Sequence, residues 1–278
     1  MSEPLFREEH KDDGIVRITL ARAEVHNAFN DALIAGLSEA LERLDHADDV
    51  RLLQLAAEGA SFSAGADLNW MQAMAGYGEA ENIRDAEAMA GLMERLNSFS
   101  RPTIAVVQGA AIGGGVGLVA CCDVALAADS AVFALSEVRL GLIPAVISPY
   151  VLDAIGLRAA RRYFLTAERF SAEEACRLGL LHEVVAPEKL EVRAEALSNR
   201  ILAGGPMALR AAKELVFSVE ANRHSPELKR ATAERIARLR VSPEGREGIG
   251  AFLDKATPSW RGARGEPPTA AAKANRKG

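Results

Sequence analysis

Three stretches of the 278-residue sequence carry residue types in patterns that could do chemistry. Two are small-residue loops, each after an apolar run: Phe62-Ser-Ala-Gly-Ala-Asp67 and Gly109-Ala-Ala-Ile-Gly-Gly-Gly115. A glycine-rich turn entering a helix lets backbone N–H groups approach a ligand with no side chain in the way. The helix dipole adds partial positive charge there. Two such N–H groups aimed at one point would hold a developing oxyanion. Glycine triplets serve equally to let a strand and a helix pack closely. The third stretch is Phe133-Ala-Leu-Ser-Glu-Val-Arg-Leu-Gly-Leu-Ile-Pro144, where Glu137 interrupts an apolar run. Beside an apolar pocket a carboxylate has a raised pKa and exchanges protons near neutrality. At an exposed helix start capped by Ser136 it would do neither.

Other chemistries lack their signatures. There is no H-E-x-x-H, no G-x-S-x-G and no G-x-x-x-x-G-K-[ST]. The five histidines, at 10, 26, 46, 182 and 224, show no metal-ligand spacing, so no metal site is expected. Gly109-x-x-x-Gly-Gly-Gly-x-Gly117 does not match a dinucleotide fingerprint. The net charge of -5 and the absence of a basic-aromatic module argue against nucleic acid as a main partner. Cys121, Cys122 and Cys176 form no C-x-x-C, and no targeting pattern opens the chain; the expectation is a reducing compartment, the cytoplasm. Residues 102–122 carry no charge and could span a bilayer by length. Their glycines, Gln108 and opening proline argue instead for a buried strand, a loop and a buried helix, with no membrane partner.

The elements that must position these stretches read as a wound α/β core. Gly14–Leu20 alternates as a strand with one solvated face, and Ala28–Leu44 has helical spacing with Asn27 and Asn30 as candidate caps. Residues 50–56, 103–107 and 132–135 read as further strands, and 79–99 as a helix. From Ala145 onward the chain reads as mostly helical. After Gly204-Gly205-Pro206, residues 206–222, 225–241 and 244–254 read as helices with little room for a core of their own. The expected organisation is an α/β core over 1–203, a helical region over 204–261, and a tail over 262–278 without order. No internal repeat is visible.

The pieces, taken in order, resemble one family. Phe62-Ser-Ala-Gly-Ala-Asp-Leu68, Gly109-(x)3-Gly-Gly-Gly115, Cys122-Asp123 and Ser136-Glu-Val-x-x-Gly-Leu-x-Pro144 are similar to the motifs of the crotonase, or enoyl-CoA hydratase/isomerase, superfamily. Asn27-Ala-Phe-Asn30, Leu178-Gly-Leu-Leu-His-Glu-Val-Val185 and Phe252-Leu-Asp-Lys-Ala-Thr-Pro-Ser-Trp260 also match, so the resemblance covers roughly residues 5–261. Gly113-Gly-Gly-Val-Gly-Leu118, Ala66-Asp-Leu-Asn-Trp-Met71, Leu135–Ala145 and Arg158–Arg169 look closest to bacterial 3-methylglutaconyl-CoA hydratases. Isohexenylglutaconyl-CoA hydratases, and crotonase-fold isomerases or thioester hydrolases, are the alternatives. An RNA-binding role is the non-enzymatic one.

The resemblance implies a spiral of ββα units with a C-terminal helical region that supports trimers, often paired into hexamers. It implies Glu137 as the catalytic acid or base, with oxyanion N–H groups from Ala64 and Gly114. Ala64, Gly65, Ala66, Asp67 and Leu68 would lie along the CoA moiety, with Gly114 and Gly117 at the acyl end. Lys255 and Phe252 would approach the CoA nucleotide, from a neighbouring subunit in one arrangement. No resident cofactor is implied, because CoA is part of the substrate. The second glutamate of two-carboxylate hydratases is replaced by Gly117. That substitution suggests extra room beside the β-carbon. Arg84 and Arg139 are cationic candidates for reading a distal substrate carboxylate.

Overall fold

The computed structural model describes residues 4–11 and 13–264. The chain divides into two compact units, up to Ser198 and from Asn199 onward, so the division falls within a helix. The first unit is built on two sheets. Strands β1 (Phe6–His10), β2 (Ile15–Leu20), β3 (Leu52–Ala57), β5 (Thr103–Val107), β7 (Val124–Ala128) and β10 (Glu183–Val185) lie in that spatial order in the larger sheet. Only β1 runs antiparallel to its neighbour. Strands β4 (Ser61–Ser63), β6 (Ala110–Ile112), β8 (Val132–Ala134) and β9 (Phe170–Ser171) make the smaller sheet, with the first three mutually parallel.

The pairs β3–β4, β5–β6 and β7–β8 each send their first strand to the large sheet and their second to the small one. Each pair is followed by helix: α2 (Leu68–Met74) and α3 (Glu79–Asn97), then α4 (Gly114–Cys121), then α5 (Ser148–Thr166) after a 3-10 turn over Glu137–Leu140. This is the expected spiral of ββα units, repeated in space without a visible repeat in sequence. The unit closes with α6 (Ala172–Leu178) and the first part of α7 (Leu190–Leu202). Strands β3 and β5 are almost wholly buried, which explains their nearly continuous apolar character. Gln54, the polar exception in β3, is 1% exposed and donates to Ser198 Oγ at 2.8 Å.

Helix α1 (Asp31–His46) starts where Asn30 accepts from the Leu33 N–H at 2.9 Å. It buries Leu33, Ile34, Leu37, Ala40, Leu41 and Leu44; each leucine is worth about 1.5–3 kcal/mol of transfer free energy. Asn27, the other candidate cap, has a different task described below. Arg101 is buried where α3 hands over to β5. It donates to the carbonyls of Asp45, Ala47 and Val50, tying the end of α1 to the sheet. Asp123, from the Cys-Asp motif, accepts from both the N–H and hydroxyl of Thr103, joining β7 to β5.

The second unit contains α8 (Pro206–Ala221), α9 (Leu228–Val241) and α10 (Pro243–Asp254), with no buried residue in any of the three. Glu244 caps the start of α8, accepting from the N–H groups of Met207 and Ala208 at 2.8 Å each. Residues 259–264 form a 3-10 turn that takes in the first three residues of the expected tail; residues 265–278 of that tail lie outside the described residues. Among the described residues, no helix is long and apolar enough to cross a membrane. The uncharged stretch 102–122 resolves into β5, β6 and α4, as its glycines and proline require.

Candidate active site

Three parallel strands deliver the candidate residues to one place. Register pairs Ser63 with Ala111, and Ile112 with Ala134. The chain therefore leaves β4 at Ala64, β6 at Gly113 and β8 at Leu135 at the same, carboxyl, end of the small sheet. Ligands are commonly held beyond the carboxyl ends of parallel strands. The pairing is extended by the Gly113 N–H, which donates to the Ala134 carbonyl at 2.9 Å.

Each glycine of the triplet answers a different demand. Gly113 has φ +52, and a Cβ there would lie 2.9 Å from Glu137 Oε1. A Cβ on Gly114 would meet Met89 and Phe29, and one on Gly115 would meet the Ser63 carbonyl at 2.7 Å. Close packing and close approach to the acid thus use the same three residues. Gly114 is the first residue of α4, and its N–H is one of the orphan donors at that end. The Val116 and Gly117 N–H groups both return to the Gly113 carbonyl.

Glu137 opens its 3-10 turn beside Gly113. Burial pushes its carboxyl above the ordinary range, and its own backbone N–H offsets this only in part. Its Oε2 is buried and has no hydrogen-bond partner. A carboxyl with one buried, unpaired oxygen and the other facing the N-cap of a helix is poised to take or give a proton. The exposed-cap alternative is excluded: Ser136 makes no side-chain cap.

The first oxyanion donor needs a correction. The Ala64 N–H is spent on the His26 carbonyl at 2.9 Å, so it is not free to hold a ligand. Two residues on, Ala66 forms an isolated parallel bridge with Phe29. There Phe29 N–H donates to the Gly65 carbonyl at 2.7 Å and Asp67 N–H donates to the Phe29 carbonyl at 2.8 Å. In that pattern the N–H of Ala66 itself points away from its bridge partner. Gly65, at φ +88, makes the turn that allows this reversal of direction.

Asp67 is likewise committed by its side chain. It is buried, accepts from Asn69 N–H at 2.9 Å to cap α2, and pairs with Arg22 at 2.8 Å. Burial alone would raise its pKa; the Arg22 guanidinium and the Asn69 N–H together hold it below the ordinary value. Leu68 is 81% exposed at the start of α2, available to a ligand lying along this edge.

Gly117 needs a second correction. The room its missing side chain suggested is occupied: a Cβ there would sit 2.3 Å from Ile147 Cγ2 and 3.2 Å from Met93 Sδ. The glycine lets α4 and the start of α5 pack closely. Phe29 and Met89 flank Gly114, and Met93 and Ile147 flank Gly117, so the first turns of α4 are packed by apolar side chains. Arg84 lines a groove between α1 and α3, together with Asp31, Glu81 and Asp85. Arg139 is exposed two residues beyond Glu137. Lys255 and Phe252 belong to the second unit, where Lys255 ends α10 at φ 56 and Phe252 is 83% exposed. Sequence reasoning missed Arg22 and Ile147. Arg22 had only one signal, a lone cation between a strand and a helix cap; Ile147 had none.

A family model described as enoyl-CoA hydratase/isomerase matches residues 10–263. The chain belongs to the enoyl-CoA hydratase/isomerase family. The 2,3-dehydroadipyl-CoA hydratase of Escherichia coli is 32% identical over 94% of this chain and 100% of its own length. The 1,2-epoxyphenylacetyl-CoA isomerase of the same organism is 33% identical over 91% and 97%. A solved enoyl-CoA hydratase from Shewanella pealeana superposes with a TM-score of 0.89 at 43% identity, covering 92% of this chain and 96% of that one. The mixed α/β architecture is that of the solved relatives, and enzymatic action on an acyl-CoA thioester is the activity of the family.

Proposed function

We propose that this family member is a hydratase of a branched α,β-unsaturated acyl-CoA, with 3-methylglutaconyl-CoA of leucine or isoprenoid breakdown as its leading substrate. The observation that carries the reading is the Glu137 carboxyl, with a buried, unpaired Oε2 and with its Oε1 facing Gly113 at the N-cap of α4. Water addition to the β-carbon drives negative charge onto the thioester oxygen. The N–H groups of Gly114 and Ala66 are the donors free to receive it, and one such donor is typically worth about 3 kcal/mol of barrier. Glu137 moves the proton, at water or at the α-carbon. The electrons and protons balance without a resident metal or redox group, and CoA arrives with the substrate.

Phe29 and Met89 beside Gly114 are apolar, which suits a branched hydrocarbon near that N–H. The choice of a glutaconyl group rests on the motif resemblance, as does the isohexenylglutaconyl alternative. A second reading, double-bond isomerisation, is favoured by Gly117: with Ile147 filling its space, this position supplies no second carboxylate. Incubation with 3-methylglutaconyl-CoA and product analysis separates the two. The 3-hydroxy acyl-CoA is expected; shifted double bonds or free CoA alone would overturn hydration.

The same reading includes self-association into trimers or hexamers and residence in the cytoplasm. Val216, Phe252 and Leu253 are large apolar residues exposed on the second unit, available to an interface. In a trimer, Lys255 and Phe252 of one copy would meet the CoA nucleotide held by another.

A further inference from the structure

A single guanidinium grips both sides of the short bridge on which Ala66 sits. Arg22 Nη1 donates to the Ala28 carbonyl, just before Phe29, and Nη2 donates to Asp67 Oδ2 at 2.8 Å, just after Ala66. Phe29 and Ala66 are the bridge partners between those two anchors. Arg22 is itself held. Its N–H donates to Asn27 Oδ1 at 2.9 Å, and its carbonyl accepts the Asn27 N–H at 2.8 Å. Asn27 is fully buried and donates to the Glu58 and Ser61 carbonyls at 2.8 Å each, which carries the network to β4. His26 and Asn27 both have φ 54, in the left-handed region that non-glycine residues adopt sparingly. The turn they make aims the His26 carbonyl at the Ala64 N–H. Strain of this kind persists where surrounding bonds over-determine it, and it gathers at functional sites.

We propose that Arg22 is a positioning residue for the reaction: by bridging the Ala28 carbonyl to the Asp67 carboxylate, it fixes the direction of the Ala66 N–H. The inference rests on the reading of Ala66 as an oxyanion donor. A donor of this type acts mainly where charge develops, so losing its aim lowers kcat more than it raises KM. The Arg22 and Asp67 side chains are 12% and 7% exposed, so the pair is largely shielded from solvent. The carboxylate serves two partners with separate oxygens, Oδ1 for α2 and Oδ2 for Arg22. Asp67→Asn therefore keeps an acceptor for the cap while ending the charge pair.

The test uses the full chain, an enoyl-CoA that wild type hydrates, and acetoacetyl-CoA as a probe, since its enolate places negative charge on the same oxygen. Arg22→Met, Asp67→Asn and Ala66→Pro are compared with Arg101→Met, which removes a buried arginine bonded to carbonyls outside the site. Arg22→Met is expected to lower kcat by about 10²-fold, the cost of a roughly 1 Å misplacement, with KM within about threefold. Acetoacetyl-CoA should lose its enolate absorbance on binding, while affinity for CoA itself stays put. Arg101→Met should lower the melting temperature and leave kcat per folded molecule unchanged. Folded Arg22→Met with wild-type kcat and enolate binding, beside an inactive Ala66→Pro, overturns the role of Arg22 alone. Folded Ala66→Pro that still binds the enolate overturns the reading of Ala66. If Arg22→Met does not fold, Asp67→Asn decides: a fall in kcat at constant KM supports the proposal, and unchanged kcat overturns it.

Discussion

Adding a single methyl group at Gly117 tests how the protein does without a second carboxylate. The new Cβ would lie 2.3 Å from Ile147 Cγ2, 3.0 Å from Ile147 Cβ and 3.2 Å from Met93 Sδ. Carbon atoms rest about 3.5–4.0 Å apart, so Ile147 must retreat by more than about 1 Å. Met93 can bend aside, because its thioether chain is flexible. Ile147 is buried and β-branched, with a stiff first torsion. Overpacking of this kind costs about 1–3 kcal/mol. At about 2–4 °C per kcal/mol for a chain of this size, Gly117→Ala should melt about 2–12 °C below wild type. Thermal unfolding followed by circular dichroism reads the shift. In Gly117→Ala with Ile147→Ala, the combined loss should be smaller than the sum of the two single losses. Gly117→Glu should not gain hydratase activity unless Ile147 is also trimmed. An unchanged melting temperature in Gly117→Ala, or a second working carboxylate in Gly117→Glu alone, would refute the packing argument.

Other outcomes follow from the titrating groups and from Asn27. Glu137 has its folded pKa raised by burial, so its ionised form costs stability, and that cost appears as pH rises from below its unfolded value of 4.5 through the folded value. Glu137→Gln should therefore melt higher than wild type at pH 8, with the gap closing below about pH 4.5; a constant gap across that range counts against the buried carboxyl. Asp67 has its folded pKa lowered, so its contribution is complete above its unfolded value of 3.8 and is lost as pH falls through the folded value. Acid unfolding curves of Asp67→Asn should be flatter than wild type below about pH 4, and parallel curves would deny the Arg22 pair that role. Asn27→Ala removes the side-chain partner of the Arg22 N–H and the Glu58 carbonyl, while the Ser61 carbonyl keeps Gln108; at about 1–3 kcal/mol for each buried unpaired group, a loss under about 1 kcal/mol in urea unfolding would contradict the network.

Much of the architecture was legible because its signals are local. Alternation marked β2, burial marked β3 and β5, and Asn30 marked the start of α1. The short strands β4 and β6 were read as loops, since two or three small residues carry no period and become strands only by pairing with each other. Helix α2 was missed for a related reason: it has no buried residue and takes its start from the Asp67 cap. At the site, Glu137 and the Gly114 end of α4 were visible as an acid in an apolar run and a glycine triplet. Which alanine offers its N–H was not visible. Ala64 and Ala66 differ only in that one faces the His26 carbonyl, a contact set by a left-handed turn nearly forty residues earlier. The fate of the Gly117 space was equally non-local, because it depends on where Ile147 arrives from the next repeat. Arg84 shows the same limit from the other side: its charge invited a role, and its helix face turned it into the groove between α1 and α3.

The most direct measurement is the turnover of 3-methylglutaconyl-CoA by wild type and by Glu137→Gln, with products separated by chromatography and CoA affinity measured in parallel. The amide keeps the shape of the side chain and cannot exchange the proton. The account predicts 3-hydroxy acyl-CoA from wild type, a loss of about 10²–10⁴-fold in kcat for Glu137→Gln, and nearly unchanged affinity for CoA. A folded Glu137→Gln that kept more than about a third of wild-type kcat would show that the proton is carried by another group, and the account of this site would be wrong.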